Sequence, residues 1–272
     1  MNRSPARLNL EHLKKQAKEL IRLYRRQAPE AYARFRQALP AAAGRSDVQI
    51  AALDLRLHDA QSCVARDLGF ASWPDLRRYV EAQLPPGKSK ADRVRRWLQL
   101  VYAADVAGTS DRANPRVAMR MLREDPGLFG DDPYLACAIG DESTIQRIAT
   151  SDPAWVNRPG GPLKLPPLVA VTHSSLLQIP EFQARLHRCA RLLLAAGADP
   201  DQHISSRWPP GSLDAPDDSN PLSALYGAAG QNHDLGLTRL LLEAGANPND
   251  NESLYHSLEG SEIGRASCRE RV

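Results

Sequence analysis

Arg191-Leu-Leu-Leu-Ala-Ala-Gly-Ala-Asp-Pro200 and Arg239-Leu-Leu-Leu-Glu-Ala-Gly-Ala-Asn-Pro248 are one phrase written twice, 48 residues apart. Each runs a leucine-rich helix end into Gly-Ala, then Asp or Asn, then Pro. Gly197 and Gly245 fall where a helix closing on a left-handed residue needs glycine, which reaches positive φ without a Cβ clash. The proline that follows cannot continue the helix. The two copies therefore predict two helices of one kind that end in one kind of turn.

Working outward, the same helix face recurs. Ile145, Ile148 and Ala149 match Cys189, Leu192 and Leu193, then Leu237, Leu240 and Leu241, each with the i, i+3, i+4 spacing of one buried stripe. A preceding helix is expected to begin near Pro133, Pro167 and Pro221, with a small residue three positions on (Ala136, Ala170, Ala224) where neighbouring helices approach closely. A further unit opens at Ser253-Leu-Tyr-His256, 32 residues after Pro221. These units resemble ankyrin repeats, whose period is about 33 residues. The resemblance departs from the family pattern at Pro153-Ala-Trp155, which replaces Gly-Ala-Asp, and the family's Thr-Pro-Leu-His survives only as Pro-Leu-Val, Pro-Leu-Ser or Ser-Leu-Tyr. It implies a short solenoid whose neighbours share one core, and a surface for protein–protein recognition with no built-in chemistry.

Four helices are expected upstream. Asn9 caps one with Leu10, Leu13, Ala17, Leu20 and Tyr24 inward; Pro29 opens a second, through Leu39; Ser46 caps a third, to Leu68, with Ile50, Leu53, Leu57, Ala60 and Val64 inward; Ser72 opens a fourth, with Leu76, Tyr79 and Val80 inward. Leu13–Leu20, Arg56–Gln61 and Arg66–Leu76 together resemble a helical segment found ahead of ankyrin repeats in bacterial proteins, which implies a domain boundary and no activity. The expected fold class is thus all-α: a helical basic domain over 1–84, a linker over 85–92, an irregular helical or capping segment over 93–132, and repeats over 133–261. Residues 262–272 fit no repeat, and their back-translation resembles a short-read sequencing adapter read in frame. The expectation is that they are not authentic protein and that the last repeat is cut short.

Residues 1–100 carry 20 Lys and Arg against 10 Asp and Glu, whereas residues 101–261 carry 12 against 20. The halves could attract one another, or the basic one could face an anionic partner; a solvated arginine-rich helix surface is the reading favoured over both. No apolar run approaches the roughly 18 residues of a membrane span, and Cys63, Cys137, Cys189 and Cys268 show no metal or redox spacing. A cytoplasmic protein without a membrane partner is expected.

The extra length between the two phrases lies mostly in Gln202–Ser219, where an ankyrin array has its finger loop. His203, Arg207 and Trp208 there, with Arg158 on the shorter finger Asn157–Pro162, are the candidate partner-binding residues, since Trp beside Arg on a loop is typical of contact hot spots. The competing reading folds Trp208 back onto the body. No catalytic, cofactor-binding or metal-binding set is expected. Gly87-Lys88-Ser89 leaves a helix instead of a strand, His187 and Cys189 face different directions, and His12, His58 and His173 are scattered. Asp199 and Asp201 read as turn residues. The function expected is a non-catalytic scaffold or adaptor for an unidentified protein. The alternative is a nucleic-acid-binding regulator acting through Lys14, Lys15, Lys18, Arg22, Arg25 and Arg26.

Overall fold

The computed structural model describes residues 8–82, 89–110, 112–208, 216–250 and 252–258, and the chain divides into two compact units, 1–87 and 88–272. The fold is mostly helical, in keeping with an all-α class.

In the first unit the Asn9 side chain accepts from the His12 N–H at 3.1 Å and starts α1 (Leu10–Arg25), whose Leu13, Ala17, Leu20, Ile21 and Tyr24 are buried. Pro29 opens α2 (Pro29–Ala38), and its Tyr32 and Phe35 meet the Tyr24 ring edge-on. The third helix expected over 46–68 is instead two, α3 (Asp47–Ala51) and α4 (Leu57–Asp67). Two groups account for the break. The Tyr24 hydroxyl donates to the Leu53 carbonyl and lies 3.0 Å from that of Ile50, groups an unbroken helix would use itself. The Asp59 carboxylate accepts from the Arg56 N–H at 2.8 Å and so caps a new N-terminus. Leu57, expected inside, is in consequence 38% exposed as the first residue of α4. Gly69 closes α4 at φ +78°, with the Phe70 N–H bonded to the Ala65 carbonyl at 2.9 Å, and Ser72 caps α5 (Trp73–Ala82).

The second unit starts where the linker was expected to continue. Ser89 and Asp92 form a reciprocal capping box, so helix α6 (Lys90–Val101) already runs through residues 90–92, while 85–88 lie outside the described residues. After α7 (Ala104–Ala107) and α8 (Pro115–Glu124), the buried Trp97 ring N–H donates to the Ala118 carbonyl at 3.0 Å and ties α6 to α8. Three helix pairs follow: α9 (Pro133–Ile139) with α10 (Glu142–Ser151), α11 (Pro167–Thr172) with α12 (Pro180–Ala195), and α13 (Ala224–Tyr226) with α14 (Leu235–Glu243). Helix α15 (Ser253–Ser257) comes last among the described elements.

The expected triplets behave alike. Ile145, Cys189 and Leu237 are buried, Ile148, Leu192 and Leu240 are half-buried, and Ala149, Leu193 and Leu241 are buried. Ala136, Ala170 and Ala224 are buried on the preceding helices. The two quoted phrases close in the same way. Gly197 (φ +92°) and Gly245 (φ +98°) let the N–H groups of Ala198 and Ala246 reach back to the carbonyls of Leu193 (2.9 Å) and Leu241 (3.0 Å).

Side chains then link successive turns. Asn157 donates to the Gly197 carbonyl and accepts from the Asp199 N–H, both at 2.8 Å; one unit later Asp201 accepts from the Asn247 N–H at 2.7 Å. Asp199 and Asp201 are therefore held in turn hydrogen bonds, the former accepting from the Asp201 N–H at 2.9 Å. Buried Gln202 completes the register, its carboxamide accepting from the Leu168 N–H (2.9 Å) and donating to the Val156 carbonyl (2.7 Å).

The third pair departs from expectation. Pro221 does not open a helix but lies in β2 (Asp217–Ser223), antiparallel to β1 (His203–Ser206) with Ser205 opposite Pro221. Each strand of a two-stranded ribbon is an edge, where a missing N–H is tolerated. The helix begins only after Ser223, whose hydroxyl accepts from the Tyr226 N–H at 2.9 Å, and it passes at once into a π-turn at Gly227–Gln231. Beyond it, the exposed Leu235 and Leu254 line an apolar groove of about 350 Å³ between α14 and α15, and Tyr255 and Leu258 of the last turn are also exposed. The tail 262–272 lies outside the described residues.

Candidate functional site

The finger expected as a loop is a β-hairpin planted on a polar hub. Strand β1 leaves the Asp199–Asp201 turn, pairs with β2 through His203–Ser223 and Ile204–Leu222, and carries a register irregularity between Ser205 and Ser206. Where β1 ends, the Arg207 N–H donates to the Asp105 carbonyl of α7 at 2.7 Å.

Arg207 itself is a correction to the sequence reading. Its side chain does not reach out for a partner. It is buried, and its guanidinium donates to the carbonyls of Val106 (2.8 Å) and Leu163 (2.6 Å). Burial holds the guanidinium below its ordinary pKa. Arg207 thus clips the hairpin both to α7 and to the shorter finger, where Gly160 and Leu165 form a bridge. That finger lies flat on Tyr134, since a Cβ on Gly160 would stand 2.3 Å from the Tyr134 ring.

Trp208, the next residue, is 52% exposed and does not fold back into the core. His203 is exposed at the other end of β1, its Nδ1 3.1 Å from the Asp201 carbonyl, about 16 Å from Trp208 at strand rise. Arg158 is exposed and ion-paired with Asp152 at 2.8 Å, while its carbonyl accepts from the Tyr134 hydroxyl at 3.0 Å. Of the four candidates, then, three face solvent and one is a buried clip. Residues 209–215, which join the strands, lie outside the described residues.

Beneath the hairpin is a cluster that the sequence did not announce. The buried His173 imidazole lies 2.8 Å from the Ser223 carbonyl through Nε2 and 2.9 Å from the Gln231 carboxamide through Nδ1. The other end of that amide is 3.0 Å from both carboxylate oxygens of Asp105, and the Tyr226 hydroxyl donates to the same carboxylate at 3.4 Å. Burial holds His173 below the usual histidine range, against the opposing pull of Asp105. Burial likewise pushes the Tyr226 phenol up. Gly227 is required here: a Cβ would lie 2.4 Å from the imidazole. The hub joins α7, α11, β2 and the π-turn, which are far apart in sequence, so no local spacing could have revealed it. A second contact between helix pairs, His187 to Asp234 at 2.8 Å, ties α12 to the cap of α14.

Chemistry is sparse. Burial pushes the Cys63 and Cys189 thiols up to about 12 and raises Cys137 well above its ordinary value, which favours the protonated thiol in all three. Among the described residues no group of three or more His, Cys, Asp and Glu side chains could hold a metal ion. No described helix is long and apolar enough to cross a membrane. Ser89 of the Gly87-Lys88-Ser89 sequence caps α6, and the other two lie outside the described residues. No family model, curated protein or solved structure matches this chain.

Proposed function

We propose that the chain is a non-catalytic recognition protein: a short stack of ankyrin-type repeats that presents a β-hairpin to another protein. The observation that carries this reading is the half-exposed Trp208, displayed beside a clip held by two guanidinium hydrogen bonds and one from its backbone N–H. An aromatic held in water by a rigid support needs little ordering on binding, which favours affinity. The ankyrin assignment is supported by the matched closing turns at Gly197 and Gly245 and by the side-chain links from Asn157 and Asp201 to the next turn. Buried free thiols suit a reducing compartment, so the cytoplasm is the proposed location.

Affinity capture from the source cell, with and without nuclease, tests the reading. Wild type is expected to retain specific proteins after nuclease, and Trp208→Ala to lose them while keeping its melting temperature. Equal retention by the variant, or loss of all signal on nuclease treatment, would refute it.

A further inference from the structure

Helix α1 presents two opposite faces. Leu13, Ala17, Leu20 and Tyr24 are buried in the first unit's core. Facing away, Lys15, Lys18, Arg22, Arg25 and Arg26 are exposed, and at 1.5 Å per residue they span about 16 Å along one side. Two carboxylates share this face, and each is already taken: Glu11 pairs with Lys14 at 2.7 Å and Glu19 with Arg22. Lys15, Lys18, Arg25 and Arg26 make no ion pair among the described residues. Their field is felt locally. Lys14 first, then Lys15 and Lys18, hold Glu11 below the usual carboxylate range.

The composition of the face narrows the partner. Apart from His12, its exposed residues are all Lys, Arg or Glu, so it lacks the apolar centre of a protein interface. A helix lying in a lipid surface needs a free apolar face, and that of α1 is spent on the core. It has no Phe, Tyr or Trp on which bases of a single strand stack, and its half-buried Gln16 is engaged with the His12 imidazole at 3.0 Å instead of being free to read base edges. A row of cations with no apolar centre and no large aromatic ring suits one ligand best, a duplex with a phosphate about every 3.4 Å per strand.

We propose that the solvent face of α1 is a sequence-independent contact surface for the phosphate backbone of duplex nucleic acid. The proposal is independent of the hairpin reading, because it uses neither Trp208 nor the repeats.

The test is fluorescence anisotropy of a labelled 20-base-pair DNA duplex titrated with the full chain. Four released counterions give a log–log salt slope near −3.6, so affinity should fall about 150-fold between 50 and 200 mM KCl. The variant Lys15→Gln/Lys18→Gln/Arg25→Gln/Arg26→Gln changes only exposed positions to another good helix former, and its circular dichroism should match wild type. It should lose most of the affinity and flatten the slope. Absence of binding at 50 mM KCl, or a variant that binds as well as wild type, would overturn the proposal. So would tighter binding to a single strand of the same sequence, or equal binding to vesicles of 30% phosphatidylserine.

Discussion

Replacing Arg207 by Ala removes two hydrogen bonds from a charged donor and leaves the buried carbonyls of Val106 and Leu163 without that partner. Bonds of this kind contribute about 1.5–3 kcal/mol each. The guanidinium's own desolvation, visible as its lowered pKa, opposes them. A net loss of about 3 kcal/mol is expected, and for a unit of this length each kcal/mol lowers Tm by about 2–4 °C, giving a fall of about 6–12 °C. Arg207→Lys should lie between, since an ammonium cannot span both acceptors as the planar fork does. Thermal unfolding followed by circular dichroism measures the fall. Hydrogen exchange at 203–206 and 217–223 should show the hairpin opening before the rest of the unit. Arg158→Ala serves as the control, because its pair with Asp152 is more than half exposed at Arg158 and such pairs contribute about 0–1 kcal/mol. If Arg207→Ala melted within about 1 °C of wild type, or if Arg158→Ala fell equally far, the clip would not hold the hairpin.

Gly197→Ala and Gly245→Ala should each cost about 1–2 kcal/mol in urea unfolding, all of it backbone strain, because an added Cβ meets nothing within 4 Å at either site; a cost at only one would deny that the turns are equivalent. Burial lowers the His173 pKa from 6.5, so the unfolded chain takes up this proton at higher pH than the folded one does. The stability this group contributes is complete above that value and declines as the pH drops below it. Urea midpoints at pH 7.5 and 5.5 should therefore separate for wild type and converge for His173→Gln, and a wild type more stable at 5.5 would contradict the assignment. Leu235 and Leu254 are 85% and 71% exposed, so Leu235→Gln/Leu254→Gln should leave Tm nearly unchanged and reduce any self-association seen by sedimentation velocity; a marked drop in Tm would show that these side chains are packed.

What was legible in the sequence is what local chemistry decides. The Gly-Ala turns, the three matched triplets and the caps at Asn9, Ser46 and Ser72 each depend on neighbours within a few residues. Contacts between distant segments were not legible. Tyr24 splits a helix from across the first unit, and nothing near Leu53 signals it. Pro221 looks like a helix start by analogy with Pro133 and Pro167, yet pairing with Ser205 puts it in a strand. Arg207 reads as a surface cation because its acceptors, Val106 and Leu163, are 101 and 44 residues away. His173, Gln231 and Asp105 form one network only after the chain has folded.

The most direct measurement of the central claim is hydroxyl-radical footprinting of the chain alone and bound to its captured protein partner. Protection concentrated at Trp208, accompanied by His203 and Arg158 and with Arg207 silent in both states, is the predicted result. Protection confined to the first unit or to the α14–α15 groove, with Trp208 equally reactive in both samples, would contradict the hairpin as the recognition element.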